Sequence, residues 1–535
     1  MKRLSRATIA GLLFATTAFT APGPVLAETP ADQLVVAFNM NNVLTLDPGA
    51  ITGADAVQIL NNVYDTLVEL DPATNELVPG AAASWDIAAD NRSITFHIDP
   101  GATFASGNPV TAEDVAYSLR RPLLLSMVQS SFLGSRGYTA GNVVEMTEVV
   151  DDKTLTLHLP QPDDPRLVMM VLAIGGLGSI LDSQLVAEHE VEGDMGQKWL
   201  VNNSAGSGAF VLGDWRSNEY VILTRNEQYW REPAEMRRVL MRHLPESQSQ
   251  RLGLEQGDLD VGFSLAASDL RALSGSDDIV VETVPSAGFY YLAVSMKDER
   301  YADPRVREAL RYLIDYDGIN EAIMPFFGVK WQRPVNSFAF GALEDLDYAL
   351  DVDKAKALLA EAGFPDGFKT TLRVISTQEF LDSATAIQGT LAQAGIEAEI
   401  VTGDGGQIYG AMRSREFELL VGRGGGGQQP HADSNLRAMV YNPDNSQEAG
   451  LTNYQGWRTS FHDEELNAAI EAALVEPDLD RQRAMYGDIQ RMIDEKVISI
   501  QPFSERVVTA AYQNDISGLP IDPWIGRFRD VSKAR

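Results

Sequence analysis

The second half of this 535-residue chain alternates amphipathic helices with short apolar strands, and this alternation limits the fold more than any other feature. Asp303 and Pro304 are residue types that begin a helix, and apolar residues follow them at helical spacing. A later helical pattern ends at Gly395, after which residues 396–400 alternate as a strand does. Because helices and strands keep alternating after about residue 290, this part of the chain is predicted to form an α/β unit.

The first half of the chain is richer in strand patterns. Residues 34–38 form an apolar run typical of a buried strand, and residues 94–98 alternate apolar with polar side chains. Residues 210–215 and 220–224 flank a short turn, which predicts a hairpin. Since no internal repeat or long low-complexity linker separates the two halves, the chain is expected to cross between two lobes more than once.

The N-terminal segment has the pattern of a cleaved secretory signal peptide. Three cations among the first six residues precede an apolar stretch at residues 7–19, and small residues end at Ala27. The Pro-Gly-Pro sequence at residues 22–24 interrupts the apolar run before it reaches the roughly 20 residues that a membrane anchor needs. We therefore expect residues 1–27 to be removed near Ala27 and the protein to be exported to the periplasm.

Composition excludes several kinds of site and partner. The chain contains no cysteine, which excludes disulfides, a thiolate nucleophile, a cysteine metal site and a lipid anchor on cysteine. Its net charge of −32 repels the phosphates of nucleic acids and of anionic lipids, so no nucleic-acid partner is expected. Hydrophobic residues make up 44% of the chain, enough to build the cores of the two to four structural units that its length predicts.

Five segments carry a family resemblance. Residues 104–115 read F-x-x-G-x-P-V-T-A-x-D-V, in which Thr111 can cap a helix. The other four segments are residues 206–210 with Trp215, Arg225, Asn226, Tyr229 and Trp230, residues 254–261, residues 303–315, and residues 353–368. In this order the segments resemble the family 5 extracellular solute-binding proteins, which include the oligopeptide-, dipeptide- and nickel-binding receptors of ABC transporters.

The resemblance implies an α/β architecture, namely a two-lobed periplasmic-binding-protein fold with an extra domain on the first lobe. It also implies a receptor that captures a peptide or another small polar solute between the lobes and delivers it to the ABC transporter permease in the inner membrane. We expect a monomer without a cofactor. The implied division is lobe I at residues 28–71, 202–288 and 500–535, the extra domain at residues 72–201, and lobe II at residues 289–499.

One loop departs from the pattern of the peptide-binding members. Those members carry a tryptophan after the corresponding strand, followed by an acidic residue that pairs with the peptide's α-amino group. Here Arg423 stands at the tryptophan position, and the next acidic residue is Asp433. A non-peptide ligand such as an opine, a sugar or an anionic solute is therefore an alternative, because arginine can bind a carboxylate or phosphate with two hydrogen bonds. Residues 422–427 also fit G-x-G-x-x-G, but the Gln-Gln-Pro that follows does not begin a helix as a dinucleotide site requires.

Seven residues are predicted to contact the ligand. Two of them follow a strand, one follows the crossing into lobe II, and one follows the glycine run. The other three belong to a cluster before a helix, where an aromatic ring could stack on the ligand. Core packing of Trp457 and a solvent-facing Arg423 are the alternatives. The predicted residues are Asn41, Tyr290, Arg423, His431, Asn453, Trp457 and Arg458.

The alternative function is that of an exported hydrolase acting on a small solute. The chain has no G-x-S-x-G motif, and none of its six histidines lies in H-E-x-x-H or another spacing typical of metal ligands. The sequence does not exclude a catalytic pair of carboxylates, because the chain contains 75 acidic residues. A chaperone or sensor subunit on the same fold is a third possibility. We predict a binding protein without enzymatic activity, metal or cofactor.

Overall fold

The computed structural model describes residues 29–427, 429–522 and 524–534, so the predicted signal peptide lies outside the described residues. The strands in chain order are β1 (Gln33–Phe38), β2 (Val68–Leu70), β3 (Leu77–Pro79), β4 (Ala82–Ile87), β5 (Ser93–Ile98), β6 (Thr147–Asp151), β7 (Thr154–His158), β8 (Phe210–Arg216), β9 (Tyr220–Arg225), β10 (Arg238–His243), β11 (Val261–Gly262), β12 (Ile279–Val294), β13 (Gly328–Val329), β14 (Lys369–Ile375), β15 (Glu397–Gly403), β16 (Leu419–Gly424), β17 (Ile500–Gln513), β18 (Ile516–Ser517) and β19 (Ser532–Lys533).

The helices surround these strands, and the two longest lie in the second half. In chain order they are α1 (Ala54–Val63), α2 (Ala112–Leu124), α3 (Ser130–Gly134), α4 (Val143–Met146), α5 (Pro165–Leu172), α6 (Ser183–Glu188), α7 (Gln197–Leu200), α8 (Ser247–Glu255), α9 (Ala267–Leu273), α10 (Glu299–Ala302), α11 (Pro304–Tyr312), α12 (Tyr316–Gly318), α13 (Val352–Glu361), α14 (Gln378–Gln393), α15 (Gly405–Arg413), α16 (Ala432–Met439), α17 (Gln455–Arg458), α18 (Glu464–Leu474) and α19 (Leu479–Lys496). A π-helical turn follows α12 at Ile319–Ile323, and a 3₁₀ turn lies at Phe528–Asp530.

One sheet runs through both lobes. Its strand order is β15-β14-β16-β12-β17-β11-β1-β10-β9-β8, and β13 also pairs with β17. The long strands β12 and β17 pair antiparallel in the middle of this sheet, between the second-lobe strands and the first-lobe strands. Residues 279–285 of β12 lie beside the first-lobe strands, whereas residues 289–294 pair with β16 of the second lobe. The two lobes are therefore joined by a continuous two-stranded crossing.

Strand direction brings the loops of the two lobes face to face. In the first lobe, β1, β10 and β11 are parallel to one another and antiparallel to β17. In the second lobe, β14, β15 and β16 are parallel to one another and antiparallel to β12. Because β12 and β17 run in opposite directions, the carboxyl ends of both sets point toward the other lobe. We call the space between these ends the cleft, and in open α/β sheets ligands bind at such strand ends.

Each part of the molecule has its own apolar core. One core covers a face of the first-lobe strands and includes Val36, Phe210 and Val239, while two others cover the two faces of the second-lobe strands. A fourth core lies under the four-stranded antiparallel sheet β4-β5-β7-β6, and it includes Phe96 and Leu157. The first-lobe core also contains Leu181, Val186 and Leu200 from the predicted extra domain, so the division at these residue boundaries stays a prediction.

Buried charges tie the extra domain and the C-terminal segment to the first lobe. The Arg121 guanidinium on α2 donates from Nη1 and Nη2 to the two carboxylate oxygens of Asp47, each at 2.7 Å, and neither side chain is exposed. Glu69 on β2 is likewise buried, and three guanidinium groups surround it, those of Arg231, Arg527 and Arg529. These contacts hold parts of the chain that are far apart in sequence.

Several local predictions are confirmed. The predicted first strand is β1, the alternating segment is β5 with every second side chain buried, and the predicted hairpin is β8 and β9. Asp303 caps α11, which begins at Pro304. Thr111 and Asp114 form a reciprocal capping box at the start of α2. Within the described residues, no helix is both long and apolar enough to span a bilayer.

Candidate functional site

Arg423 lies at the cleft end of β16, directly opposite Tyr290 on β12. Its guanidinium carbon is 5.8 Å from the ring centroids of both Tyr290 and Phe380. The Tyr409 hydroxyl accepts a hydrogen bond from the Arg423 backbone N–H at 2.8 Å and donates one to the Arg423 carbonyl at 2.9 Å. The backbone is thus held in place while the exposed side chain is supported by two aromatic rings, a common setting for arginine.

A second arginine, Arg506 on β17, lies near Arg423. It donates from Nη1 to the Ser286 hydroxyl at 3.2 Å, and that hydroxyl is 3.4 Å from a carboxylate oxygen of Asp522. Burial, followed by the positive charge of Arg423, lowers the pKa of Arg506, whereas Tyr290 and Asp522 act in the opposite direction. Burial raises the pKa of Asp522. The two guanidinium groups therefore belong to strands on either side of β12, at the crossing between the lobes.

Neither Arg423 nor Arg506 forms an ion pair with any residue that the structure describes, whereas Arg121, Arg136, Arg333 and Arg437 each do. Like charges repel each other, and an anion placed between them relieves that repulsion. We call Arg423 and Arg506 the arginine pair. The arrangement is suited to a carboxylate or phosphate group.

The glycine run after β16 forms a fixed loop at this end of the cleft. Asn435 donates from Nδ2 to the Gly425 carbonyl and, at 2.9 Å, to the Asn336 side-chain oxygen, and Asn336 donates from Nδ2 to the buried Glu505 carboxylate at 2.7 Å. A side chain at Gly425 would clash with Phe289, because its Cβ would lie 2.5 Å from that ring. The next helix, α16, begins only at Ala432, so the loop lacks the immediate helix of a dinucleotide site.

An apolar chamber of about 240 Å³ lies beside the loop. It is bounded by the first lobe, the extra domain, the second-lobe residue Gln429 and the C-terminal residue Trp524. The Trp524 backbone N–H donates to the Asp522 carboxylate at 2.9 Å, which connects the wall of the chamber to the residues around Arg506. The other apolar side chains of the wall are Ile51, Val57, Val128, Phe132, Val171, Ile174 and Leu177.

His431 lies at a contact between the second lobe and the extra domain. It is buried at the N-terminus of α16, where its Nδ1 accepts the Asp433 backbone N–H at 3.2 Å. Its Nε2 is 3.4 Å from the Asp164 carboxylate, which also accepts a hydrogen bond from Gln482 at 2.9 Å. His431 therefore contributes to the interface beside the cleft, and a direct contact with ligand stays a prediction.

The remaining predicted residues occupy three settings. Asn41 is exposed on the loop after β1, with its backbone N–H donating to Asn39. Asn453 is exposed, and the half-buried Arg458 donates to the Thr452 carbonyl at 2.6 Å. Trp457 is 1% exposed and donates its indole N–H to the Ser446 carbonyl at 2.9 Å. The core-packing alternative describes the surroundings of Trp457. Tyr290 is 2% exposed and packs in a second-lobe core, with the Arg423 guanidinium over its ring.

Sequence reasoning missed Arg506, Asp522 and Trp524. One signal was available for Arg506, because Glu505-Arg506 interrupts the otherwise apolar or neutral segment from Ile498 to Val508. Asp522 and Trp524 lie in an irregular segment without periodicity, so no pattern indicated them. Within residues 29–427, 429–522 and 524–534, no cluster of three or more His, Asp or Glu side chains is arranged to hold a metal ion.

Comparison with known proteins places the chain in one family. The family described as bacterial extracellular solute-binding proteins, family 5 (middle), matches residues 76–447, which is more than half of the chain. The dipeptide-binding protein of Escherichia coli K12 is 24% identical over 491 residues, covering 88% of this chain and 89% of that protein.

Solved structures show the same fold. The murein tripeptide-binding protein MppA, in its unliganded open form, superposes with a TM-score of 0.80 at 20% identity, covering 95% of this chain and 98% of MppA. The binding protein AgaA of A. tumefaciens R10, in complex with agropinic acid, gives a TM-score of 0.68 at 20% identity, covering 94% of this chain and 99% of AgaA. The predicted two-lobed fold and solute-binding role are confirmed. The chain belongs to family 5 of the bacterial extracellular solute-binding proteins.

Proposed function

We propose that this protein is the receptor of an ABC importer and that it captures a small solute through a negatively charged group. The observation that carries the proposal is the arginine pair in the cleft, where the peptide-binding pattern has an acidic residue for an α-amino group. Arg423 and Arg506 make no ion pair with described residues, and each faces the crossing between the lobes. A carboxylate or phosphate would complete the site with charge-assisted hydrogen bonds.

The relatives support a receptor for either a peptide or another solute. Two of them are named as dipeptide- and murein-tripeptide-binding proteins, while AgaA is named in complex with agropinic acid. The same fold therefore holds ligands of more than one class. We favour an anionic solute for this chain because an ammonium group placed beside Arg423 and Arg506 would be repelled.

The remaining parts of the proposal follow from the family. We propose export to the periplasm with cleavage near Ala27, binding as a monomer without turnover, and delivery of the solute to permease subunits in the inner membrane. The proposed binding residues are Tyr290, Arg423 and Arg506, and we propose that Asn41, Asn453 and Arg458 also contact the solute when the lobes close. Closure is favoured only to the extent that the solute makes contacts in the closed state that are absent in the open one.

The test is a comparison of Arg423→Ala with the unchanged protein in a titration against a panel of organic acids, phosphorylated solutes, sugars and short peptides. We expect an acid to bind the unchanged protein and Arg423→Ala to weaken its binding by about 10- to 100-fold, the range for a lost hydrogen bond to a charged group. Without ligand, the melting temperature of the variant should be equal or higher, because repulsion with Arg506 is removed. Calorimetry measures the first effect and a thermal scan measures the second.

Arg216→Ala is the matched control, because Arg216 is 62% exposed on the β8–β9 hairpin, remote in the fold from the arginine pair. This control should bind the acid as the unchanged protein does. Tight binding of neutral sugars or of peptides through their amino group, with no effect of Arg423→Ala, would contradict the proposal. Conversion of a panel compound into a product would contradict the absence of turnover.

A further inference from the structure

We propose that the captured solute is an amphipathic anion, whose apolar group of roughly eight to ten carbon atoms fills the apolar chamber while its acidic group binds the arginine pair. This inference rests on the proposed function and narrows its ligand class. It is carried by the chamber described above and by the short path of contacts that connects the chamber to Arg506.

The chamber is suited to an uncharged group. Its described lining residues include no Asp, Glu, Lys, Arg or His, and its polar side chains are only Thr52, Gln129, Ser131 and Gln429. Gln129 is already engaged, because its Nε2 donates to the Ile51 carbonyl at 2.8 Å. A charged group placed here would lose its hydration without gaining a partner, whereas an alkyl or aromatic group would gain from leaving water.

Two apolar side chains of the wall are unusually exposed. Val128 is 55% exposed and Phe132 is 40% exposed, and both lie on the extra domain beside the opening of the chamber. Covering them with an apolar group of the ligand would remove their surfaces from water, and this gain would be available only when the ligand is bound. The chamber can therefore contribute to affinity.

The volume sets the size of the group. A protein cavity of about 150 Å³ accommodates benzene, so a chamber of about 240 Å³ accommodates a group of roughly eight to ten carbon atoms. This size excludes a long acyl chain from complete burial. It fits a medium-length aliphatic tail or an aromatic ring with a short linker.

A chain of contacts between the chamber wall and Arg506 supports a ligand with one apolar and one acidic group. Trp524 forms part of the wall, and its backbone N–H binds the Asp522 carboxylate. That carboxylate is reached by the Ser286 hydroxyl, which accepts a hydrogen bond from Arg506. On the other side, Gln429 lines the chamber at the end of the loop that begins after Arg423. The chamber and the arginine pair are thus connected both through Asp522 and Trp524 and through the loop that ends at Gln429.

The experiment uses straight-chain carboxylates from acetate to decanoate as probes, with binding to the full protein measured by calorimetry. Affinity should rise about three- to fourfold with each methylene group until the chamber is full, and then level off. Binding of the longer acids should also change the fluorescence of Trp524, and the change should be lost in Trp524→Phe. The corresponding neutral amides should bind more weakly than the acids.

Val128→Trp places a bulky side chain at the chamber, and Val144→Trp is its matched control. Val144 is 57% exposed, belongs to the same domain and does not line the chamber. Val128→Trp should weaken the binding of octanoate at least tenfold and leave that of acetate unchanged, whereas Val144→Trp should change neither.

The outcomes separate this inference from the proposed function. If acids bind in an Arg423-dependent manner but chain length and Val128→Trp have no effect, the inference about the chamber is overturned and the proposed function stands. If no acid of the series binds and Arg423→Ala changes nothing for any panel compound, both are overturned. If the neutral amides bind as tightly as the acids, the chamber is supported and the role of the arginine pair is overturned.

Discussion

Replacing Asp47 with alanine is expected to lower the free energy of unfolding by about 3–5 kcal/mol, the cost of leaving a buried charge without its partner. The Asp47 carboxylate accepts two hydrogen bonds of 2.7 Å from Arg121, and both side chains are fully buried. Without the carboxylate, the Arg121 guanidinium keeps its hydrogen bond to the Met195 carbonyl but has no counter-charge. Urea unfolding measures the change as a shift of the midpoint at constant slope.

An exposed pair provides the matched control. Arg216 and Glu219 are 3.9 Å apart and each is 62% exposed, so Glu219→Ala should change the free energy of unfolding by no more than about 0.5 kcal/mol. Replacing both Asp47 and Arg121 with apolar residues should cost less than Asp47→Ala alone, because no charge is then left buried. Equal effects of Asp47→Ala and Glu219→Ala would contradict a structural role for the buried pair.

Acid is expected to remove about 3 kcal/mol of stability through Glu69 alone. Burial acts to raise the pKa of Glu69, but the charges of Arg527, Arg529 and Arg231 outweigh burial and lower the pKa from 4.5 to about 2. Because the pKa is lower in the folded state, the stabilisation is complete above about pH 4.5 and is lost as the pH falls toward 2. Unfolding measured at intervals from pH 6 to pH 2 follows this loss.

Glu69→Gln isolates this contribution. The variant should be less stable than the unchanged protein near pH 6 by about the same 3 kcal/mol, and the difference should shrink as the pH falls below 4.5. Glu219→Gln is the control, since that carboxylate is exposed and its removal should leave the pH dependence unchanged. A difference between Glu69→Gln and the unchanged protein that stays constant from pH 6 to pH 2 would contradict the shifted pKa.

Local features of the fold could be predicted because neighbouring residues determine them. The alternating side chains of β5 and the Asp-Pro start of α11 need no information from the rest of the chain. The alternation of helices and strands likewise predicted the α/β class. The pairing of β12 with β17, more than 200 residues apart, follows from no local pattern, although the family motifs implied two lobes.

The site was predictable in part for the same reason. Arg423 was predicted because it stands at a strand end, where cleft residues are expected, and Tyr290 because it follows the crossing into the second lobe. The surroundings of Trp457 depend on the Ser446 carbonyl and on Arg415, whose guanidinium carbon lies 4.7 Å from the centre of the Trp457 ring system. The partner of His431, Asp164, is in another domain. Such contacts arise from tertiary packing, so residue type and spacing could not distinguish a ligand contact from a core residue.

The crossing of β12 and β17 has a mechanical consequence. Their ladder is regular up to the pair Pro285–Val507 and resumes at Phe289–Glu505, so three residues of β12 lie opposite the single residue Arg506. Any bending between the lobes is easiest where the ladder is interrupted, because fewer interstrand hydrogen bonds resist it there. Arg506 lies at this interruption of the ladder and is also proposed to bind the anion. A bound anion would therefore make the β12–β17 crossing more rigid, so that bound and empty receptors differ in rigidity as well as in shape.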